Sequence, residues 1–199
     1  MENNKPGLLK RIWTVLRQPS AKYSLLTIVS VSFIVGILCW VGFEAGLAST
    51  ANLDFCMSCH EMADTVGKEY KQTIHYTNRT GVRAICPDCH TPKPFVRHML
   101  REMKAVTELI GSIRGTISTQ EKFDAKRMEM ATHEWETMKA TNSAECRNCH
   151  SFDGMDAKKQ KPKARENHAK AKEEGKTCID CHKGIAHLLP KEYKSDDEE

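Results

Sequence analysis

The stretch Cys56-Met57-Ser58-Cys59-His60 recurs three more times, and that repetition limits the chain more than any other feature. The further copies are Cys86-Pro87-Asp88-Cys89-His90, Cys146-Arg147-Asn148-Cys149-His150 and Cys178-Ile179-Asp180-Cys181-His182. C-x-x-C alone also serves zinc sites and redox dithiols. C-x-x-C-H is the attachment pattern of c-type haem, in which both thiols bond to the vinyl groups and the adjacent imidazole ligates iron. One copy leaves the choice open. Four copies, each followed at once by His, point to four covalently bound haems c. The eight motif cysteines leave only Cys39, so no disulfide framework is implied and cysteine usage does not report the redox compartment.

The chain has 199 residues, 40% of them hydrophobic and 7% aromatic. That supply is thin once a membrane segment is subtracted, so the haems themselves are expected to complete the core between Cys56 and His182. The net charge of +4 is unevenly placed. Lys5, Lys10, Arg11, Arg17 and Lys22 face only Glu2 in residues 1–22, a cytoplasmic basic tail by the positive-inside rule. A basic end beside an apolar run is a topology signal and gives no ground for nucleic-acid binding. Leu8, Leu9, Ile12, Trp13, Val15 and Leu16 recur among those basic residues with helical spacing, as in a segment lying on a membrane surface.

Residues 23–43 carry no charge. As a helix they reach roughly 30 Å, the thickness of the bilayer hydrocarbon. Tyr23 and Trp40 stand near the two ends, where interfacial aromatics belong. Ser49-Thr50-Ala51 is a tolerable cleavage site, but the apolar run exceeds a typical signal-peptide core. We therefore read residues 23–47 as an uncleaved single-pass signal anchor in a bacterial inner membrane. Residues 48–190 form a periplasmic haem domain, where c-type haem is attached, and residues 191–199 an acidic tail. Cys39 is expected to be a small membrane-facing residue.

The haem domain is internally duplicated. The first cysteines of motifs one and three are 90 residues apart, those of motifs two and four are 92 apart, and His75 and His168 between the motifs are 93 apart. This suggests two dihaem repeats. No alternating strand pattern of useful length occurs, so the expected fold is mainly α: one transmembrane helix and a small helical and loop domain around haems. Residues 95–117 place Val96, Met99, Leu100, Met103, Val106, Ile110, Ile113 and Ile117 at amphipathic-helix spacing, among Arg97, Arg101, Lys104 and Arg114. Such a helix either packs on the haem core or lies along the membrane interface. A second helix is expected over 119–138, capped by Ser118 or Thr119. Residues 158–176 are lysine-rich, a solvated face or one that steers an acidic redox partner.

His60, His90, His150 and His182 each offer one axial ligand. Low-spin electron-transfer haems need a second, commonly His or Met. His75, His168 and His187 lie close to motifs and are the preferred distal ligands. His133 reads as a bystander, and His98 is open. Motif one continues as Cys59-His60-Glu61-Met62, so Met62 either takes an axial position or packs against the ring.

One N-terminal apolar segment, four C-x-x-C-H motifs with C-x-x-C-H-x-M first, and Cys178-Ile179-Asp180-Cys181-His182-Lys183-Gly184-Ile185-Ala186-His187 last resemble the NapC/NirT family over nearly the whole chain. Lys5-Pro6-Gly7, His75-Tyr76-Thr77-Asn78-Arg79 and Glu145-Cys146-Arg147-Asn148-Cys149-His150 carry a closer likeness to its branch that donates electrons to periplasmic nitrate reductase. The resemblance implies a membrane-anchored tetrahaem quinol dehydrogenase, using menaquinol or ubiquinol. It implies Met62 as ligand of the first haem, His75 of the fourth and His187 of the third, with His168 as a further ligand. Lys93 stands where many relatives carry His, leaving Lys93, His98, His168 or a partner residue for the second haem. The quinol site of relatives implies Glu108 as carboxylate and Arg101 or Lys104 as basic residue, beside the first haem. The implied partners are lipid, the quinol pool and a periplasmic reductase, nitrate reductase being favoured over nitrite, trimethylamine-N-oxide or sulfoxide reductases. A homo-oligomer is compatible. The rival readings are a passive carrier reduced by another quinol-oxidising subunit and a haem-based sensor.

Overall fold

The computed structural model of the chain describes residues 7–17, 19 and 21–194. Lys5, before Gly7, and the acidic run at 196–199 lie outside them. The chain divides into two units, Met1–Ala48 and Ser49–Glu199. The first holds α1 (Leu8–Arg17) and most of α2 (Leu25–Thr50). Ser24 caps α2 by accepting from the Thr27 N–H at 3.2 Å. At 26 residues and a mean hydropathy of 2.4, α2 is long and apolar enough to cross a membrane, and none of it is buried in protein. It continues through Ser49 to Thr50, past the expected end at 47 and into the notional cleavage site.

The second unit begins with three short helices, α3 (Leu53–Cys56), α4 (His60–Asp64) and α5 (Val66–Tyr70). After a loop come α6 (Cys86–His90) and two long helices, α7 (Phe95–Ile113) and α8 (Gln120–Ala140). Then follow α9 (Ala144–Arg147), α10 (Pro162–Glu173) and α11 (Cys178–Cys181). No strand occurs among the described residues, as the absence of alternation predicts.

The duplication is visible in how each motif is wound. Motifs one and three place their first cysteine at the end of a short helix, α3 or α9. Motifs two and four start a helix on it, α6 or α11. Their shared Asp closes that turn. Asp88 Oδ2 accepts from the Ile85 N–H, and Asp180 Oδ2 from the Thr177 N–H, both at 2.8 Å. Each satisfies a backbone donor that a helix start leaves unpaired.

α7 ends at Ile113, four residues before the periodicity suggests. Gly115 at φ +64° takes the left-handed conformation there, which costs glycine little. The Lys122 ammonium and the Ser118 hydroxyl both donate to its carbonyl. Thr119 then caps α8 through the Lys122 N–H. α8 runs two residues beyond its expected end, to Ala140.

Among the described residues of this unit, the buried hydrophobic side chains are Tyr70, Phe123 and Ile179. Polar ties therefore carry much of the long-range order. Arg127 on α8 and Glu69 on α5 form a two-pronged ion pair, each side chain only 12% exposed. The same pair grips the backbone after motif four: Arg127 donates to the Leu188 carbonyl at 3.0 Å, and the Leu188 N–H donates to Glu69 at 2.9 Å. Ser143, fully buried at φ +49°, accepts from the Ile179 N–H and so joins motif three to motif four.

Asp180 also meets the Lys139 ammonium at 2.8 Å. Lys139 first, then the Thr177 N–H, pull its carboxyl down to about 2. Asp180→Asn is expected to cost about 1 kcal/mol of stability at neutral pH. A depressed folded-state value stabilises above the unfolded value near about 4, and the gain is lost as pH falls toward the folded value. The gap between the two proteins in urea unfolding should therefore close on acidification from pH ~5 to ~2.

Candidate functional site

The four motifs stand in space in the order of the sequence. α3 meets α6, and α6 meets α9. Cys56 ends α3 and Cys86 begins α6, so the contact of these two helices brings motifs one and two together. α9 carries Cys146, so its contact with α6 joins motifs two and three, and the Ile179 N–H donating to Ser143 Oγ joins motifs three and four. Motifs one to two, two to three and three to four are thus neighbours. Among the described residues no cluster of three or more His, Cys, Asp or Glu side chains converges as a bare metal ion requires.

Three of the motif histidines face a second imidazole. The ring centroids of His75 and His150 lie 6.3 Å apart, those of His90 and His187 6.2 Å, and those of His168 and His182 5.9 Å. Two imidazoles on opposite sides of one metal, each about 2 Å from it, leave their centroids roughly 6 Å apart. Each pair has the spacing of axial ligands of a single iron.

The surroundings favour that role. Burial first, then His90, pushes His187 down to about 4, and burial lowers His182 as well. Neutral imidazole is the ligating form. Nδ1 of His75 and of His187 is buried without a hydrogen-bond partner in the protein. Nδ1 of His90 instead meets Glu134 Oε2 at 3.2 Å, and Nδ1 of His168 meets Gln160 Oε1 at 2.9 Å. A partner on Nδ1 orients the ring and leaves Nε2 for a metal. Burial works to raise the Glu134 carboxyl, but the His90 contact outweighs it and leaves Glu134 low.

These pairs differ from those the resemblance implies. His75 faces motif three rather than motif four, and His187 faces motif two rather than motif three. His187 stands beside Leu188, which the Glu69–Arg127 clamp holds. The other candidates for motif two lie elsewhere. Lys93 is exposed, His168 faces motif four, and His98 Nε2 sits 3.4 Å from Glu102 on its own helix. His133 is exposed.

Motif one differs from the other three. His60 is 68% exposed and forms no such histidine pair among the described residues, its Nε2 lying 3.4 Å from Glu61 Oε1. Glu61 is buried and accepts from Ser112 on α7 at 2.9 Å. Its own backbone N–H first, then Ser112, hold its carboxyl below the usual range. Met62 is 38% exposed. Met57 packs so closely on Gly67 that a Cβ there would lie 2.4 Å from its methyl group.

α7 borders motifs one and two. Arg101 Nη2 donates to Glu108 Oε2 at 3.0 Å, and Arg101 Nε donates to the His90 carbonyl at 3.2 Å. Arg101 Nη1 is buried with no partner in the protein. Lys104 is exposed and makes no ion pair among the described residues. Val96, Leu100, Met103, Val106, Ile110 and Ile113 are all exposed along one arc of the helix. His98, Arg101, Ala105 and Ser112, on another arc, are half-buried. The helix therefore does not turn its apolar arc to the core. Glu61, Glu69, Arg127, Glu134 and Gln160 were not legible as site residues, because ordinary charged and amide residues carry no pattern of their own.

A helix fit to span a membrane, joined to repeated haem-attachment motifs, defines a membrane-anchored c-type cytochrome. Residues 18–192 match the NapC/NirT cytochrome c family, N-terminal region, and the chain belongs to that family. It is 52% identical over 188 residues to the cytochrome c-type protein NapC of Escherichia coli K12, covering 94% of each chain. It is 52% identical over 198 residues to the denitrification system component NirT of Stutzerimonas stutzeri, covering 100% of this chain and 96% of the other. To the cytochrome c-type protein TorC of Escherichia coli K12 it is 44% identical over 183 residues, covering 92% of this chain and 47% of the other. No solved structure matches it. As a cytochrome c of this family the chain carries covalently bound haem c, and the motif cysteines and paired imidazoles fit that group.

Arg127→Ala would leave Glu69 buried and unpaired, at a cost of about 3–5 kcal/mol. Arg127→Lys keeps the charge but loses the fork and is expected to cost less. Thermal unfolding of the three proteins, followed by circular dichroism, checks that order.

Proposed function

We propose that the chain is a quinol dehydrogenase of the cytoplasmic membrane, with its haem domain in the periplasm, passing electrons to a periplasmic terminal reductase. The Arg101–Glu108 pair carries this reading. It is a basic and an acidic side chain at 3.0 Å on a helix whose apolar arc is exposed, tied to the His90 carbonyl of motif two. An exposed apolar stripe of that length on a helix with basic residues suits the lipid interface, where quinol resides. N-terminal basic residues against a helix of spanning length support an inside N-terminus.

In this reading four haems c are bound at Cys56 and Cys59, Cys86 and Cys89, Cys146 and Cys149, and Cys178 and Cys181. His90 with His187, His150 with His75, and His182 with His168 would hold three of the irons, and His60 or Met62 would hold the first. When bound, haem supplies one-electron acceptance and relay. The protein residues do the rest. The Arg101 guanidinium, with a buried N–H to spare, donates to a quinol oxygen and favours its developing negative charge. Glu108, more exposed than Arg101, takes up the proton released and passes it to water. Lys104 is close enough in sequence to add positive charge but lacks a comparable fixed partner.

Nitrate reductase is the favoured electron acceptor. The likeness to NapC and to a denitrification system component supports a reductase of nitrogen oxides, and the likeness to TorC keeps other acceptors in view.

In proteoliposomes, Arg101→Ala is expected to lower quinol oxidation about 10²–10³-fold. Glu108→Gln is expected to lower it about 10²-fold. Haem content should stay at four per chain in both. Unchanged turnover would reject the site. Separately, His187→Ala, His75→Ala and His168→Ala should each convert one low-spin haem to high spin by electron paramagnetic resonance. A variant that leaves every haem low-spin would remove that residue from the ligand set.

A further inference from the structure

Residues 158–176 hold eight basic and three acidic side chains, more net positive charge than the +4 of the whole chain. The structure gives this stretch two faces. Inward, Ala164, His168 and Ala171 are half-buried at helical spacing, and the His168 ring stands 5.9 Å from that of His182 in motif four. Outward, Lys163, Arg165, Lys170 and Lys172 are exposed on α10, with Lys158, Lys159 and Lys161 just before it and Lys176 after it. Glu174 pairs with Lys170 at 3.7 Å and with Lys176 at 2.9 Å. Among the described residues, Lys158, Lys159, Lys161, Lys163, Arg165 and Lys172 make no ion pair. Six such cations on one short segment repel one another, and an anionic surface laid over them relieves that repulsion.

The face is unsuited to lipid. Residues 156–176 contain no Leu, Ile, Val, Phe or Trp, whereas a helix that lies in a bilayer surface needs an apolar face. It suits the acidic surface of a soluble protein. We propose that α10 and its flanks are the docking face for an acidic soluble redox partner, so that electrons leave the chain beside motif four. This rests on the reading that the chain feeds a soluble reductase, and it adds the exit point and the partner's charge. A field of this sign speeds encounter with an anionic acceptor and falls away with salt.

The test uses the full-length chain, loaded with haem in lipid nanodiscs and reduced by dithionite, so a failure of the quinol reading leaves it readable. Stopped-flow mixing follows reoxidation by hexacyanoferrate(III), an anion, or by tris(phenanthroline)cobalt(III), a cation. Each oxidant takes one electron from the reduced cytochrome, giving hexacyanoferrate(II) or the cobalt(II) complex, and no proton moves. The triple variant K163E/K170E/K172E is expected to slow the hexacyanoferrate reaction about tenfold at low ionic strength and to speed the cobalt reaction. The difference should shrink as the Debye length falls below about 8 Å. A control triple, K71E/R79E/K126E, changes net charge equally but lies outside the stretch, and should shift either rate by less than about twofold. Binding of poly-L-glutamate to the oxidised protein, read by interferometry, should weaken in the first triple and not in the second. Equal losses in both triples, or an unchanged hexacyanoferrate rate in the first, would overturn the proposal.

Discussion

Shortage of apolar side chains governs this haem unit. With Tyr70, Phe123 and Ile179 as its buried hydrophobic residues among those described, the polypeptide by itself offers little apolar interior for its helices to collapse on. A c-type cytochrome answers that shortage with large flat apolar groups bonded to the chain, so cofactor and core are one thing. Covalent attachment matters here for more than retention. At motifs two and four the attachment cysteines sit on a local turn, α6 or α11, that the chain closes with its own Asp. The long-range order is then completed by imidazoles meeting across distant parts of the sequence, His75 with His150 and His90 with His187.

The Glu69–Arg127 pair shows how such a unit gains specificity with little apolar packing. A buried ion pair gives little net stability, because desolvating two charges offsets most of their attraction. Its value lies in the fork. Arg127 and Glu69 satisfy each other and both backbone groups of Leu188. The segment after motif four, in which His187 stands beside Leu188, is thereby held to one register. A slip of one residue would leave two buried charges short of partners, so the alternative is costly even though the correct state is only modestly stabilised.

That contact also explains what the sequence could and could not convey. The four motifs, the spanning helix, the two long helices and the Thr119 cap were legible because each is a local pattern with a local cause. His75, His168 and His187 were legible as candidate ligands because only five histidines lie outside the motifs and these three lie near motifs. Which motif each one faces was not legible. Pairing depends on contacts between α5, α8 and the segment around Leu188, far apart in the chain, and an alignment to relatives carries residue identity rather than geometry. Glu134 and Gln160 were invisible for the same reason, since an ordinary polar residue becomes a histidine's partner only once the fold brings it there.

The unit's two most unusual surfaces are chemically opposite. α7 exposes a run of aliphatic side chains beside the ion pair of Arg101 and Glu108, next to motifs one and two. α10 exposes lysines and almost no apolar surface, next to motif four. An electron carrier between a lipid-soluble donor and a water-soluble acceptor needs that asymmetry, because one surface cannot suit both. It also needs the motifs strung between the two surfaces in order, as the contacts of their helices and the bond from Ile179 to Ser143 place them. Motif one stands apart from the other three. Its His60 is exposed and engaged with Glu61 rather than with a second imidazole, while the other three motif histidines each face one. A centre with a weaker or open axial position can approach a substrate, whereas bis-imidazole centres with both faces filled can only pass electrons onward. The repeat that makes the four motifs look equivalent in sequence is therefore broken at the first copy, whose His60 faces no second imidazole among the described residues.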